Sequence, residues 1–255
     1  MILLLGGTGH ARRLAATLAD VVPLIASLSG ATKSPKAYPC ETRVGGFGGA
    51  KAMGDWLTDH DIAAIIDATH PFATQISANA CAAASATNTP IISLHRPPWT
   101  PDKGDDWHIF SDLESAVAAL PRGARAFYAT GRGGQDTIRK RTDVWSALRV
   151  IDDPKSVFPG NGEYIVSRPP FDIPAEKALF SLLNITHLVA KNAGGVAARA
   201  KLDAAAALGK PVFLIDRPEA KLAPALAARD IPEWAQVQFK AHLAAKHTTD
   251  AASGA

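Results

Sequence analysis

The sequence predicts an α/β chain of two doubly wound domains, each with a mainly parallel sheet, with a ligand cleft between them. Three observations carry this. Ile2–Leu5, Ile62–Ala68 and Val212–Ile215 are almost continuously apolar rather than alternating, the pattern of strands buried on both faces. Longer helical stretches separate such runs, as crossovers between parallel strands require. The alternation runs once, stops at Pro121–Ala124 (PRGA), and runs again.

The elements follow in order. Ile2–Leu5 is a strand, Ala11–Ala19 a helix and Val21–Leu28 a second strand. Lys51–Thr58 is helical, and Ile62–Ala68 is the third strand. In the helix Ala73–Ala86, Phe72, Ile76 and Ala80 recur at a spacing of four along one face. Ile91–Leu94 is a fourth strand. After a proline-rich loop come the strand Trp107–Phe110 and the helix Asp112–Leu120. Beyond the linker, Arg125–Ala129 is a strand followed by a helix, and Val144–Ile151 and Tyr164–Ser167 are strands. Pro174–Leu183 is a helix opened by proline in its first turn. Leu188–Ala190 is a strand, Val196–Leu208 a helix and Val212–Ile215 a strand, with a last helix near Glu233–Ala244. The expected domains are 1–122, which binds a nucleotide, and 123–246, with a frayed polar tail over 247–255.

Composition narrows the function. The net charge of +3, from 27 Lys+Arg against 24 Asp+Glu, is too small and too evenly spread for a nucleic-acid binder. No apolar run approaches the roughly 18 residues of a membrane span, and Ile2–Leu5 is too short for a signal-peptide core. A cytoplasmic location is expected. Cys40 and Cys81 form no CxxC pair, and the eight histidines form no HxxxH or HExxH pair, so neither a disulfide framework nor a metal site is expected.

Ligands of doubly wound folds sit beyond the carboxyl ends of the strands. After the first strand, Gly7-Thr8-Gly9-His10-Ala11-Arg12 matches the first two glycines of the dinucleotide fingerprint and departs at the third, where Arg12 stands. Glycines let a backbone approach a phosphate, and a helix start supplies free N–H groups. A site for NAD would place an acid at the end of the second strand. Here stand Ser27, Leu28, Ser29 and Gly30, near Arg12, Arg13, Lys33 and Arg43, which suits the 2′-phosphate of NADP. Arg43–Gly49 (RVGGFGG) either wraps a ligand or serves as a flexible link. After the third strand, Asp67-Ala68-Thr69-His70 is a titratable cluster. His70 is a candidate proton donor or anion contact, and Asp67 either orients it or caps the turn.

Ile66–Ala80 (IDATHPFATQISANA) is highly specific, and here the chain resembles the precorrin-6A reductase family of cobalamin biosynthesis. The likeness extends through LLLGGT at Leu3–Thr8, RVGGFGG at Arg43–Gly49 and RPPW at Arg96–Trp99. It continues at Gly131-Arg132, AKNAGG at Ala190–Gly195, AKLDAA at Ala200–Ala205 and VFLIDRP at Val212–Pro218. It departs at His10, where a Glu is expected. The resemblance implies two Rossmann-like domains and NADPH-dependent reduction of one double bond of precorrin-6A to precorrin-6B. Cobalt-precorrin-6A, or a nonenzymatic NADP-binding role, stands as the alternative.

On this reading Asp67 and His70 are candidate catalytic residues. Gly7, Thr8, Gly9, Arg12, Ser27, Ser29, Gly30, Lys191 and Asn192 are candidates for holding NADPH. The substrate is a polyacidic tetrapyrrole, whose carboxylates call for arginine forks. Arg43, Gly46, Thr69, Arg96, Trp99 and Arg132 are its candidate contacts, with Trp99 offering a flat apolar surface. Arg168 either joins them or makes a surface ion pair. The expected state is a monomer, with neighbouring pathway enzymes as candidate partners. A short-chain dehydrogenase would need Tyr-x-x-x-Lys, but Tyr38, Tyr128 and Tyr164 are followed four residues on by Thr42, Arg132 and Arg168.

Overall fold

The computed structural model describes residues 1–219 and 223–253. In chain order the elements are β1 (Ile2–Leu5), α1 (Gly9–Leu18), β2 (Leu24–Leu28), β3 (Glu41–Val44), α2 (Ala50–Asp59), β4 (Ala64–Asp67), α3 (Thr74–Thr87) and β5 (Ile91–Leu94). Then come β6 (Trp107–Phe110), α4 (Leu113–Ala118), β7 (Arg125–Ala129), α5 (Gln135–Ile138), β8 (Trp145–Val150), β9 (Gly162–Val166), α6 (Ile173–Leu182), β10 (His187–Lys191), α7 (Ala200–Ala207) and β11 (Val212–Ile215). The short β12 (Ala225–Leu226) and the long α8 (Ile231–Ser253) close the chain.

Two six-stranded sheets result, in the orders β12-β5-β4-β1-β2-β3 and β6-β11-β10-β7-β8-β9. Every recorded strand pair is parallel. The orders correspond strand for strand, with β7 in the place of β1 and β10 in that of β4. The outermost partner of each inner set is exchanged: β6 follows β5 in sequence but pairs with β11, and β12 pairs with β5.

That exchange alters the expected division. The compact units are Met1–Arg96 with the segment from Glu219 onward, and Pro97–Pro218. Strand β6 and helix α4, expected within 1–122, belong to the second unit because β6 hydrogen-bonds to β11. Helix α8, expected within 123–246, belongs to the first, where Ile231 and Ala235 join the apolar cluster of β1, β4 and α1. The tail at 247–255 was expected to fray, but α8 continues to Ser253. Its His242 and Lys246 both contact Asp61, at 2.8 and 2.5 Å, which holds the helix down near its middle. The last two residues of that tail, 254 and 255, lie outside the described residues.

Local chemistry explains the elements around the first loop. Thr8 caps α1: its Oγ1 accepts from the Ala11 N–H at 3.0 Å, starting the helix two residues before the first apolar position. Ala11, Leu14, Ala15 and Leu18 form its buried stripe. On the opposite face of the first sheet, Met53 and Leu57 of α2 and Ala80, Ala83 and Ala84 of α3 pack on Leu3, Leu5, Ile25 and Ile65. In the second unit, Phe180 of α6 and Leu202, Ala204 and Ala205 of α7 pack on Phe127, Leu188, Ala190 and Leu214.

The second unit also buries an ion pair. Arg149 of β8 donates to both carboxylate oxygens of Glu176 in the first turn of α6, at 3.0 and 2.7 Å. The guanidinium lies over Phe127 and Phe171. Removing one partner strands a buried charge, whereas an apolar pair of similar volume is far better tolerated. Glu176→Ala is therefore expected to destabilise the protein by about 3–5 kcal/mol in urea unfolding. The double variant Arg149→Met/Glu176→Leu recovers most of that loss.

Candidate cofactor and active site

The carboxyl edge of the first sheet gathers the loops after β1, β4 and β5. Gly7 has φ +98°, a left-handed conformation that favours glycine, and a Cβ there would meet nothing within 4 Å. The turn is thus open to an approaching group at the start of the ten-residue helix α1. Thr8 Oγ1 donates to the Ala68 carbonyl at 2.9 Å, tying the loop after β1 to the loop after β4. Arg12 is half-buried on the first turns of α1.

Beside this turn stands Tyr38, which the sequence reading treated only as a failed dehydrogenase motif. Its hydroxyl accepts from the Gly7 N–H at 3.1 Å, and burial raises its pKa despite that bond and the nearby Arg12 charge. Its ring closes over Gly6, where an added Cβ would come 3.0 Å from the hydroxyl. Nothing local in the sequence joins Tyr38 to a loop some thirty residues away.

Ser27 and Arg43 meet at the carboxyl ends of β2 and β3, where they are register partners. Arg43 donates to Ser27 Oγ at 2.7 Å and to the carbonyls of Gly45 and Gly46, both at 3.1 Å. Its guanidinium lies 3.9 Å from the centre of the Phe47 ring, a cation–π contact that helps fix its direction. Arg43, weighed in the sequence both beside a 2′-phosphate and with Gly46 as a substrate contact, lies with Gly46 beside Ser27, because β3 forms where the sequence reading saw only a loop. Ser29 is exposed and its Oγ accepts from the Ala31 N–H, while Gly30 follows at φ +80°.

Asp67, at the end of β4, accepts three hydrogen bonds. Its Oδ1 takes the Thr69 N–H at 3.0 Å and the Thr69 hydroxyl at 2.6 Å, and its Oδ2 takes the Ser77 hydroxyl at 2.5 Å. This is the capping role left open above. His70 is half-buried, and its Nδ1 accepts from the Phe72 N–H at 3.3 Å. That bond leaves the neutral ring's proton on Nε2. Arg96, in the loop after β5, is buried and donates to the Thr69 carbonyl at 3.1 Å. His10, on the first turn of α1, feels this group: burial first, then the charges of Arg96 and Arg13, lower its pKa to about 4.

The other candidates lie in the second unit. Trp99 does not offer a surface: it is 7% exposed, its indole N–H donates to the Gly195 carbonyl at 2.9 Å, and Lys201 Nζ lies 4.8 Å from its ring. Its ring is drawn into the core of β7, β10 and α7. Asn192 clamps it there. The amide oxygen accepts from the Trp99 N–H at 2.8 Å, and Nδ2 donates to the Trp99 carbonyl at 3.2 Å. The amide expected to hold a cofactor is thus engaged by the chain itself. Arg217 donates to the Asn192 and Ala193 carbonyls. Gly194 sits where a Cβ would lie 2.2 Å from the Pro97 carbonyl oxygen. Lys191 is half-buried at the end of β10, its pKa lowered by burial. Arg132 is exposed on the turn after β7, and Arg168 pairs with Asp152, the ion-pair reading weighed above.

Among the described residues, no group of three or more His, Cys, Asp or Glu could hold a metal, and no helix is long and apolar enough to cross a membrane.

Two outcomes follow from this geometry. Asn192→Ala leaves both backbone groups of buried Trp99 unpaired and is expected to cost about 1–3 kcal/mol in denaturant unfolding. His10 binds a proton more weakly folded than unfolded. Stability is therefore complete above the unfolded value of 6.5 and falls as pH drops from there towards about 4. His10→Gln is expected to flatten that part of the stability–pH curve.

Comparison with known proteins identifies the family. A model of the family described as precorrin-6x reductase CbiJ/CobK matches residues 1–237. The precorrin-6A reductase of Rhodobacter capsulatus is 45% identical over 90% of this chain and 90% of its own. The cobalt-precorrin-6A reductase of Priestia megaterium is 26% identical over 86% of this chain and 91% of its own. A solved structure of CobK precorrin-6A reductase superposes with a TM-score of 0.89 at 41% identity, covering 93% of this chain and 96% of that one. Its two six-stranded parallel sheets match the fold of that solved reductase, and the chain belongs to the precorrin-6x reductase family.

Proposed function

We propose that this chain reduces one double bond of precorrin-6A with NADPH, giving precorrin-6B. The observation that carries the cofactor choice is the Ser27–Arg43 pair. A cation and a hydroxyl, not a carboxylate, stand at the carboxyl ends of β2 and β3, beside the open Gly7–Gly9 turn. An acid there would accept from a ribose 2′-hydroxyl, whereas a guanidinium fork suits a 2′-phosphate. Gly7, Thr8, Gly9 and Arg12 are assigned to the diphosphate, and Ser27, Ser29, Gly30 and Arg43 to the adenosine end. Lys191 is retained as an anion contact and Asn192 as a positioning residue for Trp99.

Reduced nicotinamide supplies the hydride when bound. The remaining demands fall on the protein, which must orient the ring, exclude water and deliver a proton. His70 is the group we assign to the proton, because its Nε2 bears hydrogen in the neutral ring. Asp67 and Thr69 position the turn that carries it, and Arg96 fixes Thr69 from the next strand. Arg132 is assigned to a substrate carboxylate. Cobalt-free precorrin-6A is preferred over the cobalt form because identity to the chain named for the former is 45%, against 26% for the latter.

The test is turnover of precorrin-6A followed by NADPH absorbance, with cobalt-precorrin-6A and NADH as parallel arms. Arg43→Met is expected to raise the KM for NADPH roughly ten- to hundredfold, the scale of a lost charged hydrogen bond, and to leave the KM for NADH little changed. Equal loss with both cofactors removes the 2′-phosphate assignment. Binding without turnover converts the reading to a nonenzymatic NADP-binding protein.

A further inference from the structure

Hydroxyls at the carboxyl edge of the first sheet are used by the protein itself. Thr8 Oγ1 bonds Ala68 and Ala11, and the hydroxyls of Thr69 and Ser77 both donate to Asp67. The second sheet differs. Thr130 follows directly on β7, the strand that occupies the place of β1, and is only 7% exposed. Its Oγ1 is buried and has no hydrogen-bond partner. Ser167, just past the end of β9, carries a second buried hydroxyl without a partner. Such groups cost stability and call for an explanation.

The neighbours of Thr130 supply one. Gly131 and Gly133 flank the turn, and a Cβ at either would meet nothing within 4 Å. Arg132, exposed between them, adds a planar fork of donors. A buried hydroxyl proton without a partner, two residues before an exposed guanidinium on an open glycine turn, matches an acceptor-only oxyanion that reaches in past the glycines.

We propose that Thr130 is a substrate-binding residue whose hydroxyl, with Arg132, takes a carboxylate of the tetrapyrrole substrate. This rests on the reading of the chain as a precorrin-6A reductase. It assigns a contact outside the set expected from the sequence, and it gives the unspent hydrogen bond a purpose that appears only in the complex.

The isosteric variant Thr130→Val separates this from a structural role. If the hydroxyl has no partner in the free protein, replacing it with a methyl group leaves the melting temperature equal or higher. The expected result is an unreduced Tm, unchanged NADPH affinity by fluorescence titration, and a KM for precorrin-6A raised roughly ten- to hundredfold. Thr130→Ser restores the KM. A lower Tm in Thr130→Val shows an intramolecular partner and overturns the proposal. So does an unchanged KM, or a loss confined to NADPH. Wild-type protein that neither binds nor reduces precorrin-6A overturns this proposal and the functional reading together. An active wild type with an indifferent Thr130→Val overturns this proposal alone.

Discussion

A buried carboxylate can only accept hydrogen bonds, and the architecture around Asp67 follows from that demand. Thr69 supplies two donors from the turn that follows and Ser77 a third from α3. Once the turn is fixed, its carbonyls become anchors in their own right. Ala68 receives the hydroxyl of Thr8, and Thr69 receives the guanidinium of Arg96. One acidic side chain thereby sets the relative positions of the loops after β1, β4 and β5, strands that lie side by side in the first sheet.

The same edge gathers arginines whose partners are mostly neutral. Arg96 and Arg13 help keep His10 neutral, so that loop presents guanidinium groups and N–H donors rather than a third cation. Arg43 is held by a serine, two carbonyls and an aromatic ring, all neutral partners. Its positive charge stays uncompensated by any of these contacts. A guanidinium prepared in this way is suited to meeting an anion, whereas Arg149, matched to Glu176, is spent on the fold.

How much of this was legible depended on whether the signal was local. Ile2–Leu5, Ile91–Leu94, Arg125–Ala129 and Val212–Ile215 were bounded to the residue, because buried parallel strands are short apolar runs with clear ends, and the exposed edge strand Trp107–Phe110 was bounded by its run of large apolar and aromatic residues. Edge strand β3 was missed because its sequence, Glu-Thr-Arg-Val, is polar and largely exposed. With it went the register pairing of Arg43 with Ser27. The glycine turn, the Asp67–His70 cluster and Arg96 were legible from position after strands. The partners of Asp67 and Trp99 were not: Ser77 lies 10 residues away and Asn192 lies 93, and no pattern in the chain announces either bond. The loop RPPW read as a stiff platform with an outward-facing ring, yet the indole N–H found a carbonyl inside the core.

The exchange of outer strands bears on synthesis. A chain emerging from the ribosome completes Met1–Arg96 early, but the sheet it forms still lacks β12, and the apolar surface around Ile2, Leu14 and Ile66 still lacks Ile231 and Ala235. The internal unit can close first, since all of its strands lie between Pro97 and Pro218. The other unit must wait with an open flank until Ala225–Leu226, Ile231 and Ala235 have been made. For this protein, the order in which residues are made is not the order in which domains mature.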